Sequence, residues 1–176
     1  MVRSSLSCFV VLLALVIPRV ASAQYAPQSL GLGPHVTFVA GSQAVMGGVA
    51  IEFSRYLENG FEFFSRVPVL IAQVPVGADT PDGSGRVFAT GASLGVRYLF
   101  VESSVRPWVG LQLGGVVLIT KPEVIWFLGT GATLGLDWIL TESWSVGARA
   151  IYDVFIDLNR PWRHQLGGSL IVSVLF

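Results

Sequence analysis

The residues best suited to acid–base or nucleophilic chemistry are two histidines and two late serines, and the sequence keeps them apart. His35 lies at the start of the first predicted strand. His164 lies at the start of the last predicted strand, which is expected at the opposite side of the membrane. The two ends of a bilayer-spanning strand are about 30 Å apart, so these imidazoles should not share a metal or an acid–base site. Ser169 and Ser173 fall on the opposite face of the last strand from His164. The sequence therefore predicts no catalytic residue, no metal site and no cofactor.

Charged residues offer a second kind of chemistry, because they recur in a chain that is otherwise apolar. Of the 176 residues, 52% are hydrophobic and 12% are charged, with 11 positive and 11 negative residues. An ordinary soluble domain carries about 25% charged residues. Seven charged residues fall on the small or polar face of the predicted strands: Glu52, Glu62, Arg66, Arg97, Asp137, Arg149 and Asp153. We expect them to form ion pairs that fill an enclosed interior, with a narrow polar passage as the alternative.

The elements that position these residues are strands, because apolar residues alternate with small or polar ones. In the segment RVFATGASLGVRYLF, which starts at Arg86, Leu94 and Val96 fall on one face, whereas Ser93 and Gly95 fall on the other. Eight such runs predict strands at about 34–41, 45–55, 61–74, 86–99, 107–118, 126–139, 144–155 and 164–176. Their lengths are near the roughly 9–11 residues that a tilted strand needs to cross a bilayer.

The connections and an internal repeat indicate how the strands are arranged. Short turns alternate with longer segments rich in Gly, Pro and Asp, as in bacterial membrane barrels. A repeat aligns Gly91 with Gly131 and places Arg97 and Asp137 at equivalent positions, where we expect them to interact. A propeller blade is the alternative for such a repeat, but each copy holds about two long strands. The predicted fold class is therefore all-β, an eight-stranded antiparallel up-and-down transmembrane barrel, whose last strand pairs with its first because lipid cannot solvate an open edge.

The first residues indicate export. Arg3 precedes an apolar run from Cys8 to Ile17, and the small residues Ala21-Ser22-Ala23 follow, as in a secretory signal peptide. The apolar run is shorter than the roughly 20 residues that a membrane-spanning helix needs. We expect a signal peptide at 1–23 that is cut between Ala23 and Gln24, a short N-terminal segment at 24–32 and the barrel at 33–176. Because Cys8 is the only cysteine, the mature chain would contain no disulfide.

Aromatic residues gather near the predicted strand ends. Those expected at one membrane interface are Tyr56, Tyr98, Trp108, Trp138, Trp144 and Phe176. Amphipathic rings are common at the level of the lipid headgroups, where they form girdles around membrane barrels. The alternative is that these rings only flank turns, as aromatics do in any sheet.

Over about residues 33–176 the chain resembles the small outer-membrane barrels of the OmpA-like and OmpW-like kind. The resemblance rests on the stretches GLDWILTESWSVGARAIYDV and SLIVSVLF, the second of which ends in Phe176. In that family the last strand and its terminal Phe are recognised by the barrel insertion machinery, which the resemblance implies as a partner. Some eight-stranded relatives are lipid A deacylases with a His-x-Ser motif. The corresponding residues, His164-Gln165-Leu166, lack the serine, and we expect the chain not to be an enzyme.

The sequence thus predicts an integral outer-membrane protein with a structural or surface-contact role and a mostly plugged polar lumen. A narrow channel for small or hydrophobic solutes is the alternative, and a lipid-modifying enzyme is less favoured. We expect a monomer surrounded by outer-membrane lipid. Nucleic acid is not an expected partner, because Lys121 is the single lysine and no basic cluster exists. Asp79 and Asp82 lack the other oxygen ligands of a calcium loop, and we expect them in an exposed outer loop.

Overall fold

The computed structural model describes residues 28–40, 44–73, 86–120, 123–157 and 160–176, which form eight strands. The strands are β1 (Gln28–Val39), β2 (Ala44–Glu58), β3 (Phe61–Gln73), β4 (Arg86–Leu99), β5 (Val105–Thr120), β6 (Glu123–Thr141), β7 (Trp144–Asp157) and β8 (Arg160–Leu175). Each strand pairs antiparallel with the next in the chain, and β8 pairs with β1, so the sheet closes into a barrel. The predicted fold class is confirmed. Within the described ranges, no helix is long and apolar enough to span a membrane.

The two ends of the barrel differ in their connections. The terminal end carries Gln28, Phe176 and the turns that follow β2, β4 and β6, and the loop end carries the other connections. Asn59 and Gly60 form the turn between β2 and β3, with positive φ angles of 53° and 82°. Two-residue hairpin turns with positive φ match the twist of the strands that they join. The longest connection, residues 74–85 between β3 and β4, lies at the loop end, although the β5–β6 and β7–β8 connections there are only two residues long. Because outer loops are the longer connections in such barrels, we expect the terminal end to face the periplasm.

The strands are staggered around the barrel. Starting at Ser29 of β1 and following the paired residues through β2 to β8 leads back to β1 at Val39. The difference between positions 29 and 39 is ten residues. Such a stagger tilts the strands relative to the barrel axis. Residues that are paired on adjacent strands therefore lie at different heights in the barrel.

The wall has an apolar outer face and a small or polar inner face. Leu111 and Leu128 point outward and are 70% and 74% exposed, whereas Gln112 between the outward Leu111 and Leu113 is buried. This arrangement inverts that of a soluble protein and is typical of barrels in lipid. Part of the interior is nevertheless apolar, because a cluster near the loop end fills it. That cluster consists of Met46, Leu70, Ala72 and Ala89, with Val39, Val87, Val116 and Leu118 packed against it.

The first strand differs from the sequence-based prediction. β1 begins at Gln28 rather than near residue 34, so residues 28–32 of the predicted N-terminal segment belong to the barrel. The cause is closure of the sheet: Gln28 donates a backbone hydrogen bond to Phe176 at 3.1 Å and accepts one from it at 3.0 Å. The predicted signal peptide, its cleavage site and the acidic residues Asp79 and Asp82 lie outside the described residues.

Candidate functional site: the barrel lumen

Glu52 lies inside the barrel, where three arginines from other strands bind its carboxylate. Arg66 donates to Oε2 from Nε at 3.1 Å and from Nη2 at 2.9 Å. Oε1 accepts from Nη1 of Arg97 at 3.0 Å, and from Nε and Nη2 of Arg149 at 3.2 and 3.1 Å. All four side chains are buried. Because β2 and β7 are not neighbours in the sheet, the contact between Glu52 and Arg149 crosses the lumen.

Two further carboxylates balance the charge of the arginines. Arg97 Nε donates to Glu62 Oε2 at 2.9 Å, and Arg149 Nη1 lies 2.6 Å from Asp137 Oδ1. Arg97 Nη2 lies 3.9 Å from Asp137 Oδ2, as the internal repeat led us to expect. We refer to these six residues as the Glu52 cluster: Glu52, Glu62, Arg66, Arg97, Asp137 and Arg149. Its three guanidinium groups face three carboxylates, which is the pairing that buried charges require.

Two aromatic rings pack against the Glu52 cluster from inside the barrel. The ring of Trp108, which is 2% exposed, lies 4.7 Å from the Arg97 guanidinium carbon and 5.5 Å from that of Arg149. Its Nε1 donates to Asp137 Oδ2 at 2.8 Å. Phe64 lies 5.4 Å from the Arg66 guanidinium carbon. Contacts of this kind between cations and ring faces stabilise desolvated guanidinium groups.

Glycines opposite these side chains provide the space that they occupy. A Cβ atom at Gly147 would overlap the side chains of Arg149 and Asp137, and one at Gly135 would overlap the Trp108 ring. The small residues of the inner face therefore accommodate large side chains from neighbouring strands. In this part of the barrel they do not enlarge a passage for water.

The Glu52 cluster separates two small cavities. The loop-end cavity has a volume of about 40 Å³ and is lined by residues that include His35, Ser93, Asp153 and Gln165. The terminal-end cavity has a volume of about 30 Å³ and is lined by residues that include Arg106. A single water needs roughly 10–15 Å³ on this measure, so each cavity has room for only about two to four waters.

Asp153 is the one residue of the seven predicted lumen charges that the structure places outside the Glu52 cluster. Gln112 joins it to the cluster, since Gln112 Nε2 donates to Asp153 Oδ1 at 2.6 Å. Gln112 Oε1 in turn accepts from Arg66 Nη1 at 3.4 Å. The other six predicted residues meet in one network of ion pairs.

The two histidines lie on opposite faces of the wall, but they are not at opposite ends of it. The Ala40 amide donates to the His164 carbonyl at 2.9 Å, which places His164 level with Ala40 and five positions beyond His35. That offset is roughly 17 Å along the strand, so the expected separation of about 30 Å is wrong. The reason is the early start of β1, which places His35 in the loop-end half of its strand. His35 is buried in the lumen, whereas His164 is exposed on the outer face.

His164 has an aromatic partner on the outer face. Its Nδ1 and the Tyr152 hydroxyl are 2.7 Å apart, and the two rings are stacked with 6.0 Å between their centroids. Ser169 and Ser173 are buried on the inner face, as the alternation predicted. On the described outer face His164 therefore pairs with Tyr152, and Leu166 occupies the position where a His-x-Ser motif would have its serine.

Four of the six predicted interface aromatics lie on the outer face near the terminal end: Tyr98, Trp138, Trp144 and Phe176. Trp108 is a correction, because it points into the lumen. Tyr56 also differs, since it continues the inward phase of Glu52, and its hydroxyl donates to Glu102 of the next turn at 2.6 Å. Arg55 is exposed on the outward phase of β2.

Sequence reasoning did not identify Trp108, Gln112 and Phe64 as lumen residues. A signal for the first two was present, because Leu111 and Leu113 fix the outward phase of β5. Even-numbered positions of that strand must then face inward. Among the described residues, no group of three or more His, Cys, Asp or Glu side chains is arranged to hold a metal ion.

Comparison with known proteins relates the chain to others through its fold. No family model matches the sequence, and no curated protein matches it. Neisserial surface protein A is similar in structure, with a TM-score of 0.62, 16% identity and coverage of 85% of this chain and 97% of that one. OprG of Pseudomonas aeruginosa gives a TM-score of 0.60 at 11% identity, covering 89% and 99%. The outer membrane enzyme PagL gives 0.52 at 14%, covering 83% and 99%.

These likenesses confirm the fold that the resemblance to OmpA-like and OmpW-like barrels implied. The chain is an eight-stranded transmembrane barrel with the fold of the small barrels of the outer membrane.

Proposed function

We propose that the protein is an integral outer-membrane barrel with a closed lumen and a structural or surface-contact role. The observation that carries the proposal is the binding of one carboxylate, that of Glu52, by arginines from β3, β4 and β7. These contacts cross the lumen, and the two cavities described on either side of them are small, with volumes of about 40 and 30 Å³. A filled interior is also the expectation for a barrel of eight strands.

The surface-contact part of the proposal rests on analogy. Neisserial surface protein A shares the fold, and the apolar outer face of this chain would hold its outer connections at the membrane surface. Outer-membrane lipid is then the surrounding partner, and the barrel insertion machinery is the proposed partner during assembly. PagL shows that this fold can also carry an enzyme, but Leu166 stands two residues after His164, where a His-x-Ser motif would need a serine.

A narrow channel is the second candidate, and the two cavities are the observation that favours it. Planar-bilayer recording of the refolded protein separates the two candidates. A closed barrel gives no conductance steps. The shift of the protein on an unboiled gel shows independently that the protein is folded. The double variant Glu52→Ala/Arg149→Ala removes both partners of the contact that crosses the lumen, and we expect it to give discrete steps. Steps from the unaltered protein would overturn the closed lumen.

Surface contact needs its own measurement. Bacteria that express the protein are compared with bacteria that express a form whose β3–β4 connection, residues 74–85, is replaced by a short Gly-Ser turn. If the role is surface contact, the shortened form loses adhesion to host cells or to neighbouring bacteria while it remains folded in the membrane. Equal adhesion by both forms would contradict a contact role for this connection.

A further inference from the structure

The loop-end cavity is lined by Asp153 and by Arg66, whose guanidinium group is already paired with Glu52. The three arginines of the Glu52 cluster are balanced by its three carboxylates, whereas Asp153 takes part in none of the ion pairs among the described residues. Its observed polar contact is the neutral amide of Gln112, at 2.6 Å. A carboxylate that is partly removed from water is costly unless a cation or a proton accompanies it.

A second oxygen donor faces the same cavity beside Asp153. Gln165 lies directly opposite Asp153 on the neighbouring strand, where paired side chains start only about 4.5–5.5 Å apart. Its Nε2 donates to Thr37 Oγ1 at 2.8 Å, so the carbonyl oxygen is the other polar atom of this cavity-lining side chain. On the other side of Asp153 is Gly131, where a Cβ atom would overlap the carboxylate. The Asp153 carboxylate is therefore accommodated by the absence of a side chain at Gly131, and the loop-end cavity lies beside it.

His35 indicates that this cavity holds water. Thr37 Oγ1 accepts from Gln165 and lies 3.3 Å from His35 Nε2, within hydrogen-bond distance. His35 Nδ1 is buried without a partner in the described structure, whichever ring nitrogen carries the proton. A buried polar nitrogen of this kind requires a partner. The cavity that His35 lines has room for about three waters, one of which can form this hydrogen bond.

We propose that the loop-end cavity binds a small hard cation of the sodium or calcium kind. Its protein ligands are the Asp153 carboxylate and the Gln165 carbonyl oxygen, and waters complete its shell. Oxygen donors of these types are the ligands that hard cations prefer. This inference goes beyond the proposed function, because a closed structural barrel could hold such an ion or lack it.

Urea unfolding of the refolded protein tests the proposal. Unfolding is measured at constant ionic strength in sodium chloride, in choline chloride with a few millimolar calcium, and in choline chloride alone. Choline is the control cation, because its charge is buried under methyl groups and carboxylate and carbonyl oxygens cannot coordinate it as they coordinate a hard cation. Binding to the folded state lowers the unfolding equilibrium constant by a factor of 1 + [L]/Kd, which is about 11-fold at ten times Kd. We expect this shift in sodium or calcium, but not in choline.

Two variants localise the effect. Asp153→Asn removes the charge but keeps an oxygen for Gln112, and we expect it to lose the cation dependence. Glu142→Gln alters an exposed carboxylate at the terminal end and should keep it. Equal stability of the unaltered protein in all three salts would overturn the proposal. Unchanged cation dependence in Asp153→Asn would overturn it as well, because the ion would then bind elsewhere.

Discussion

Glu52 and Arg149 are 97 positions apart in the sequence, yet two nitrogens of Arg149 donate to the same oxygen of Glu52, at 3.2 and 3.1 Å. Their strands, β2 and β7, are separated in the sheet by β1 and β8. The pair therefore connects the wall across the lumen, where backbone hydrogen bonds cannot. The other contacts of the Glu52 cluster are arranged around this one.

Neutralising Glu52 should destabilise the barrel strongly. Glu52→Gln leaves three buried guanidinium groups with two carboxylates, and breaking a buried ion pair by removing one partner costs about 3–5 kcal/mol. We expect a fall of that size in the free energy of unfolding, measured by urea titration of the refolded protein. The matched control is Glu142→Gln at an exposed position, which should change stability by less than about 0.5 kcal/mol. Similar losses in both variants would show that Glu52 is not the centre of the network.

Adding a methyl group at Gly147 should disturb the same network without changing any charge. A Cβ atom there meets the side chains of Arg149 and Asp137, and overpacking of this kind typically costs about 1–3 kcal/mol. Gly47 provides the control, because a Cβ atom there meets no other atom within 4 Å. Gly47→Ala should be neutral or slightly stabilising. The prediction fails if urea unfolding shows Gly147→Ala to be as stable as Gly47→Ala.

Trp108 should be shielded from lipid, in contrast to the outward tryptophans. Trp126 is 71% exposed on the outer face, whereas Trp108 is 2% exposed in the lumen. In single-tryptophan variants with the other four changed to Phe, brominated lipids should quench the fluorescence of Trp126 strongly and that of Trp108 weakly. Comparable quenching of the two would place Trp108 on the outer face, as the sequence first suggested.

Phe176 should matter more for assembly in cells than for the folded barrel. Its ring is exposed on the outer face, so Phe176→Ala removes no buried contact and keeps the backbone bonds to Gln28. We expect refolding into detergent to be nearly unchanged and membrane insertion in cells to fall several-fold. The control is Leu170→Ala, an exposed outward residue of the same strand. Equal insertion of both variants would argue against recognition of the terminal Phe by the insertion machinery.

The fold was predictable because alternation in the sequence is strong and lipid leaves few options for a sheet edge. The predicted bounds of β4 agree with the structure at both ends. β1, in contrast, begins six residues earlier than the sequence predicts. Gly31 and Gly33 occupy inward positions of β1 and carry no side chain, so the alternation there is visible only in Leu30 and Leu32. The alternation becomes clear only near Pro34, where the sequence therefore predicts the strand to begin.

The identities of the lumen charges were predictable, but most of their partners were not. Alternation places Glu52 and Arg149 on the inner face, and no sequence pattern indicates that they meet. Their contact depends on the ten-residue stagger of the strands, which is a property of the closed sheet. Nearness to a turn predicts Trp108 at the membrane interface. The outward phase of Leu111 and Leu113 instead places it in the lumen, as the structure shows.

The seam between β1 and β8 has a consequence for the order of folding. It joins Gln28 to Phe176, so it has the largest sequence separation of any pairing in the barrel. Contacts between distant parts of a chain are slow to form, because a long loop must first be closed. Until this seam forms, two strands present unpaired amides and carbonyls that can pair with another chain. An unclosed sheet would therefore be prone to aggregation until its first and last strands meet.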